Sequence, residues 1–380
     1  MAQDLHLFTH EFYPYRGGIA TYCHEFAQAA AIDHNYAVTV HGPSSAAAPE
    51  GQIEYTIKAG KHRGTHNLGC LLRSQQELQR VLNIEGASYV LAEPGAILSY
   101  GLLSKSNKPN NLIVTLHGSE IQRWQKNPIT RWMTTRCFKD ATIIIAVSNP
   151  IAAIAKQVFP EFSHKIRAVC NALPRAFIQN ARNTEQDSAE PPTSNSTFKI
   201  LSVGRLHPRK GYEQVIQAIA QLTQALKNKV NYTIVGGRSK SNYDQKLQLL
   251  AARSGVQLRI KLDLSDTELI EHYKQADLFC LTSMPYRNSI EGFGIVYLEA
   301  GAYALPSLAY DIGGVRDAVI DNRTGKLIRA GDIDGLRQQL QNWMEDPAPL
   351  RELGEAAREN ALSRNWAEVV AESLELTSAS

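Results

Sequence analysis

The chain has 380 residues, 43% of them hydrophobic and 20% charged, and its formal charge is +3. That length is too great for one ordinary domain and suits two, and the composition is that of a soluble globular protein. The charge is too small to argue for a nucleic-acid partner, although the first 180 residues carry 17 Lys+Arg against 12 Asp+Glu and the remainder 23 against 25.

In chain order, Leu5–Thr9 reads as a strand and His10–Gly18 as a loop. Helical spacing follows over Ile19–Ala31, with Ile19, Tyr22 and Phe26 on one face. Strand, loop and helix in that order place a ligand at the carboxyl end of a parallel strand. Gly17 and Gly18 are not part of a Gly-x-Gly-x-x-Gly run; they suit either a tight turn or close approach to a phosphate or sugar. Tyr36–His41 is a second strand, Leu71–Leu82 a helix and Tyr89–Ala92 a short strand. Leu112–Leu116 is a buried strand that runs into His117, at the end of the sheet where open α/β folds bind ligands.

Trp124–Lys139 has helical character, with Arg123, Lys126, Arg131 and Arg136 around Trp124 and Trp132. Two readings stand: a surface that meets lipid headgroups, or a solvated helix whose tryptophans face the core. Ala141–Val147 and Lys165–Val169 are further strands, with Ser148 placed to cap a helix. Residues 179–197 are polar, with two prolines and no apolar period, and read as a linker. Phe198–Val203 restarts strand chemistry and leads into Gly204, Arg205, Lys210 and Gly211, then a helix over Tyr212–Leu226. Arg205 and Lys210 lie on one loop at a strand end and can converge on an anion, or be solvated. Strand and helix alternate to the end, which predicts a second parallel sheet.

The stretch Tyr286–Pro306 carries the densest chemistry. After the strand Asp277–Thr282, a helix is expected to open through Gly292, Phe293 and Gly294, with Ile295 on its buried side. Its first N–H groups and dipole suit phosphate. Glu291 stands just before the helix and Glu299 about two turns in; such carboxylates can take sugar and ribose hydroxyls, or simply be solvated. The five cysteines are odd in number and never spaced Cys-x-x-Cys, which points to a reducing compartment and away from a disulfide framework or zinc site. No signal peptide and no apolar run of ~20 residues is visible, so the expectation is a cytoplasmic chain, at most on the inner face of a membrane.

Taken together, these motifs resemble the family 4 glycosyltransferases of the GT-B fold. The matching residues are Pro14-x-x-Gly17-Gly18, His117-Gly118, Asn171, Gly204-Arg205 with Lys210-Gly211, Glu291-Gly-Phe-Gly-Ile-x-x-x-Glu299 and Gly313-Gly314-x-x-Asp317. The resemblance implies two doubly wound Rossmann-like domains facing across a cleft: an acceptor-side domain over 1–178, completed by a final helix near 366–380, and a nucleotide-sugar domain over 198–365. It implies a retaining hexosyltransferase that needs no metal or cofactor, with a nucleoside diphosphate sugar as donor and a glycan or lipid-linked acceptor. Arg205 and Lys210 would neutralise the diphosphate, Glu291 would hold the sugar and Glu299 the ribose. The backbone of Gly292–Ile295, with Gly17, Gly18 and Gly204, would meet the donor, and His117 the transferred sugar. Gly294–Ala300 resembles members using GDP-mannose, with UDP-sugars open. Rival expectations are a sugar-nucleotide epimerase or hydrolase of the same fold, and a non-catalytic sugar-nucleotide-binding subunit.

Overall fold

The structure is a computed structural model and describes residues 2–15, 17–82, 84–103, 109–183, 197–237, 242–286 and 289–375. The chain divides into two compact units, Met1–Asn171 with Asn365–Ser380, and Ala172–Arg364. Most of the expected linker, along with Arg287, Asn288 and residues 376–380, over which the final helix is expected to continue, lies outside the described residues.

In the first unit the chain runs β1 (Gln3–Phe8), α1 (Gly18–Ile32), β2 (Tyr36–Gly42), β3 (Thr56–Ala59), α2 (Leu68–Val81), β4 (Ser88–Leu91), α3 (Pro94–Gly101), β5 (Asn111–Leu116), α4 (Ile121–Lys126), α5 (Pro128–Asp140), β6 (Ile143–Ala146), α6 (Asn149–Val158) and β7 (Ile166–Ala168). The second unit contains α7 (Arg175–Asn183), β8 (Phe198–Val203), α8 (Tyr212–Ala220), α9 (Gln224–Lys227), β9 (Val230–Gly236), α10 (Tyr243–Ser254), β10 (Leu258–Leu262), α11 (Asp266–Gln275), β11 (Leu278–Leu281), α12 (Ile295–Ala302), β12 (Ser307–Asp311), α13 (Val315–Ala318), β13 (Gly325–Arg329), α14 (Ile333–Glu345) and α15 (Ala348–Leu362). The closing helix α16 (Trp366–Glu375) belongs to the first unit: Trp366 is 1% exposed and edge-on to Tyr22, and His34 Nε2 bonds the Ala367 carbonyl at 2.8 Å.

Both sheets are parallel, as the sequence predicts. The first is ordered β3-β2-β1-β4-β5-β6-β7 and the second β10-β9-β8-β11-β12-β13. Strands covered by helices on both faces can be apolar throughout, as in the Ile-rich β6; β4, β6 and β11 are buried at every residue. In each sheet the first strand lies between the second and the fourth. The strand order therefore reverses between β1 and β4, and between β8 and β11. Loops diverge at such a reversal and leave a crevice at the carboxyl ends of the strands.

Several local expectations change. Residues 179–183, read as linker, continue helix α7. The single helix expected over 124–139 is two, because Pro128 has no N–H to continue α4 and Asn127 accepts from Ile129 and Thr130 to start α5. The same happens at Thr223, which caps α9 after α8 ends. Strand β3 gave no signal because it is an edge strand with mostly exposed residues. Helix α3 starts on Pro94, with Glu93 accepting from the Gly95 and Ala96 N–H groups.

Candidate functional site

In the second unit, the loop after β8 is stapled to the loop after β11. The turn Pro208–Lys210 is capped by His207, and Gly211 closes it in the left-handed region at φ 71. Thr282 Oγ1 donates to the Gly211 carbonyl at 2.7 Å, and the Met284 N–H to the Arg209 carbonyl at 2.7 Å. A side chain at Gly211 would collide with the Thr282 carbonyl, so this contact requires glycine.

The staple brings three donors onto one carboxylate oxygen. Lys210 Nζ and Ser283 Oγ each lie 2.8 Å from Glu291 Oε2, and Arg209 Nη1 lies 3.4 Å away. Arg209 also donates to the Ile290 carbonyl at 3.0 Å. Burial alone would raise the Glu291 carboxyl; the Lys210 and Arg209 charges and the hydrogen bonds from Lys210 and Ser283 reverse that and hold it at about 2. The glutamate's carbonyl accepts from the Gly314 N–H at 3.0 Å. Gly313 packs against that carbonyl with φ 53, which gives the Gly313-Gly314 pair a structural reason.

Helix α12 starts at Ile295, not Gly292: Gly294 takes φ 90 at its cap, so Gly292 and Phe293 are lead-in. Glu299 therefore stands about one turn into the helix, not two. Tyr273 Oη donates to its Oε2 at 2.8 Å. Burial pushes the Glu299 carboxyl up to about 7, and the Tyr273 hydrogen bond only partly offsets this. Arg205 is exposed on the β8 loop. The arginine that reaches Glu291 is Arg209, not the Arg205 of the Gly204-Arg205 motif. Nothing in the spacing singles out Ser283 either.

In the first unit, His117 follows β5 and its Nε2 lies 2.8 Å from the Ala92 carbonyl. A carbonyl only accepts, so Nε2 carries the proton and Nδ1 the lone pair in the neutral ring. Burial lowers the His117 pKa against the opposing pull of Glu120. Glu120 Oε1 accepts the His117 and Gly118 N–H groups at 2.6 and 3.0 Å, and the Tyr22 ring meets the imidazole edge-on. Gly17 caps α1 in an extended conformation, and Gly18 has open space where a Cβ would stand. Asn171 is buried, with its Oδ1 lacking a hydrogen-bond partner.

The family model for Glycosyltransferase Family 4 matches residues 16–176, and that for Glycosyl transferases group 1 matches 183–360. The chain is 27% identical over 380 residues to the GDP-mannose-dependent alpha-(1-6)-phosphatidylinositol monomannoside mannosyltransferase of Mycolicibacterium smegmatis, covering 95% of this chain and 94% of that protein. In structure it is similar to sucrose-phosphate synthase from Thermosynechococcus elongatus, with TM-score 0.76, 20% identity and 98% of each chain covered. Anabaena HepE in complex with UDP and glucose gives TM-score 0.73 at 18% identity over 100% of both chains.

Proposed function

As a member of the family 4 glycosyltransferases of GT-B fold, the chain transfers a sugar from a nucleotide sugar, and we propose that it is a retaining transferase moving mannose from GDP-mannose to a glycan or glycolipid acceptor of the cell envelope. The choice of donor is supported by the mannosyltransferase relatives that span nearly the full chain, in Mycolicibacterium, Mycobacterium and Corynebacterium.

The observation that carries the reading is the convergence of Lys210, Arg209 and Ser283 on Glu291 beside the start of α12. Buried cations balanced by a carboxylate can be transferred to an incoming diphosphate, whose charge replaces that of Glu291. Lys210 and Arg205 then neutralise the diphosphate, and no metal is needed there. Glu291, relieved of part of its ion pairing, accepts hydroxyls of the donor sugar. Glu299 accepts the ribose hydroxyls, and the backbone of Gly292–Ile295, with Gly17, Gly18 and Gly204, meets the donor. His117 accepts a hydroxyl of the transferred sugar through Nδ1.

In the reaction the bond from the sugar's anomeric carbon to the diphosphate oxygen breaks, and the acceptor oxygen bonds that carbon from the same face. Because the new bond forms on the face that the phosphate leaves, the configuration is retained, and the acceptor proton passes to the departing phosphate oxygen. No carboxylate is placed as a nucleophile.

The first unit supplies the acceptor side and a membrane contact. On α5, Ile129 is 68% and Trp132 53% exposed, and Arg136 lies 4.9 Å from the Trp132 ring. Apolar side chains among basic ones suit an anionic lipid surface. Among the described residues no helix is long and apolar enough to cross a membrane.

The test is a melting-temperature screen against GDP, UDP and ADP, followed by transfer from GDP-mannose into an envelope lipid extract. A shift with GDP, and an α-linked mannosyl product by NMR, support the reading. Stabilisation by UDP alone, or full transfer by Lys210→Ala, overturns it.

A further inference from the structure

The reversal of strand order in the first sheet holds a second cluster that the transfer reaction does not use. His10 follows β1, His66 lies in the loop between β3 and α2, and Glu93 follows β4. One ligand-capable atom from each lies within 4.8 Å of the others. His66 Nε2 is 3.1 Å from Glu93 Oε2. A third imidazole, His62, packs on the His10 ring with centroids 4.1 Å apart. Glu93 is fully buried and His10 is 2% exposed.

A purely local account explains part of this. Glu93 caps α3, and an ion pair to His66 ties the loop to the helix. That account leaves the buried Nε2 of His10 without a hydrogen-bond partner. A buried polar atom left unpaired is costly and calls for an explanation. It also leaves unexplained why two further histidines gather around a buried carboxylate.

We propose that His10, His66 and Glu93 form a binding site for a divalent transition-metal ion in the first unit. Two imidazoles and one carboxylate are a ligand set that suits Zn2+, Co2+ or Ni2+ over Mg2+ or Ca2+, which take oxygen ligands. The carboxylate is already oriented. Oε1 accepts the His10 and Ala96 N–H groups at 3.0 and 2.6 Å, and Oε2 the Gly95 N–H at 2.7 Å. The His10 ring is held too, with Nδ1 3.3 Å from the Thr65 carbonyl. Outer contacts of this kind fix metal ligands in place. His66 is the partly exposed member, 33% open to solvent, and provides the way in. On binding, the His66–Glu93 hydrogen bond gives way to the ion, and the imidazole nitrogen that binds releases its proton.

The site is separate in role from the donor site. The cations assigned to the diphosphate, Arg205 and Lys210, belong to the second unit, whereas the cluster joins the ends of β1 and β4 to the loop carrying His66. Ala92, whose carbonyl orients His117, immediately precedes Glu93. The ion would thus pin the turn on which the His117 ring hangs.

The experiment uses the full chain, freed of any purification tag and dialysed against chelator. Co2+ is added and its visible absorption followed, with Zn2+ as competitor and melting temperature as a second readout. The expectation is one tight equivalent with a rise in melting temperature, since a ligand that binds only the native state stabilises it. His66→Ala, on a partly exposed loop, should fold and weaken binding by roughly tenfold or more. Glu93→Gln should do the same, and if it fails to fold, His66→Ala alone decides. No stoichiometric Co2+ uptake by the parent chain, or uptake unchanged in His66→Ala, overturns the proposal.

Discussion

Lys210 Nζ lies 2.8 Å from Glu291 Oε2, and the two side chains are only 10% and 9% exposed. The residues stand 81 positions apart and meet because β8 and β11 are neighbours in the sheet. Taking two charges out of water is expensive, and their attraction repays it only with good geometry and extra hydrogen bonds. Ser283 and Arg209 supply those bonds, so the pair is stable as long as both members are present.

Removing both members should therefore cost less than the two single losses added together. Lys210→Met or Glu291→Gln alone should destabilise the chain by about 3–5 kcal/mol, because each strands a buried charge or donor. The double variant should fall well short of the sum of the two. Urea unfolding of the four proteins measures the coupling. Initial transfer rates should drop by roughly 10²-fold or more in all three variants. Additive stabilities, or an unimpaired rate in the double variant, would sink the assigned roles.

Glu299 gives a pH signature to nucleotide binding. With its carboxyl pushed up to about 7 by burial, much of it is protonated in the free chain just below neutrality. Ribose hydroxyls donate best to the ionised form, so GDP binding should release a proton. Affinity should weaken by up to about tenfold per pH unit below 7. Titration calorimetry in buffers of different ionisation enthalpy reads that proton directly. The raised value also means that Glu299's own contribution to stability declines as pH rises from about 4.5 to 7, since the native state holds a proton the unfolded chain has lost; it opposes, and partly masks, any loss of stability in acid. Glu299→Gln should abolish both effects; an unchanged proton release in that variant would assign the proton to another group.

A buried histidine pair makes the first unit acid-labile. His6 Nδ1 and His41 Nε2 are 3.1 Å apart; His6 stacks on Tyr89 and His41 on Phe8. Burial lowers both, His41 to about 3, with Lys58 acting in the same direction on each and Asp4 opposing on His6. The unfolded chain takes up these protons near 6.5 and the native chain does not, so stability falls as pH drops below about 6.5. Melting temperatures between pH 7.5 and 5 should decline, and less steeply in His41→Gln. Parallel slopes for the two proteins would show that other groups carry the acid sensitivity.

The sheets were legible because parallel strands buried on both faces read as unbroken apolar runs, as in Ile143–Ala146. Lys210, Glu291 and Glu299 were legible one by one, since loops at strand ends carry chemistry. Their pairing was not, because it depends on which strands are neighbours. Arg209 was hidden behind Arg205, which sits at the position the motif emphasises. Gly294 concealed where α12 starts, because a left-handed cap delays the helix by three residues relative to the Gly-rich pattern. His10, His66 and Glu93 carry no local pattern at all; three separate loops bring them together.

The two tryptophans of the basic segment separate in the fold, and that separation sets the last prediction. Trp124 is 3% exposed while Trp132 is 53% exposed. The break at Pro128 gives each its own helix, so each finds its own environment. Of these two tryptophans it is Trp132, beside the exposed Ile129, that is then available to a lipid surface. Burying two such side chains in the interface is worth a few kcal/mol, of order 1.5–3 each at most. Trp132→Asp and Ile129→Asp should each cut co-sedimentation with phosphatidylserine-containing vesicles by roughly tenfold. The melting shift with GDP should stay intact, because neither residue belongs to the donor site. Binding of the parent chain should weaken in high salt and on uncharged vesicles, since part of the attraction is electrostatic. If the parent binds neutral and anionic vesicles equally, or both variants bind as well as the parent, this helix face is not the membrane contact.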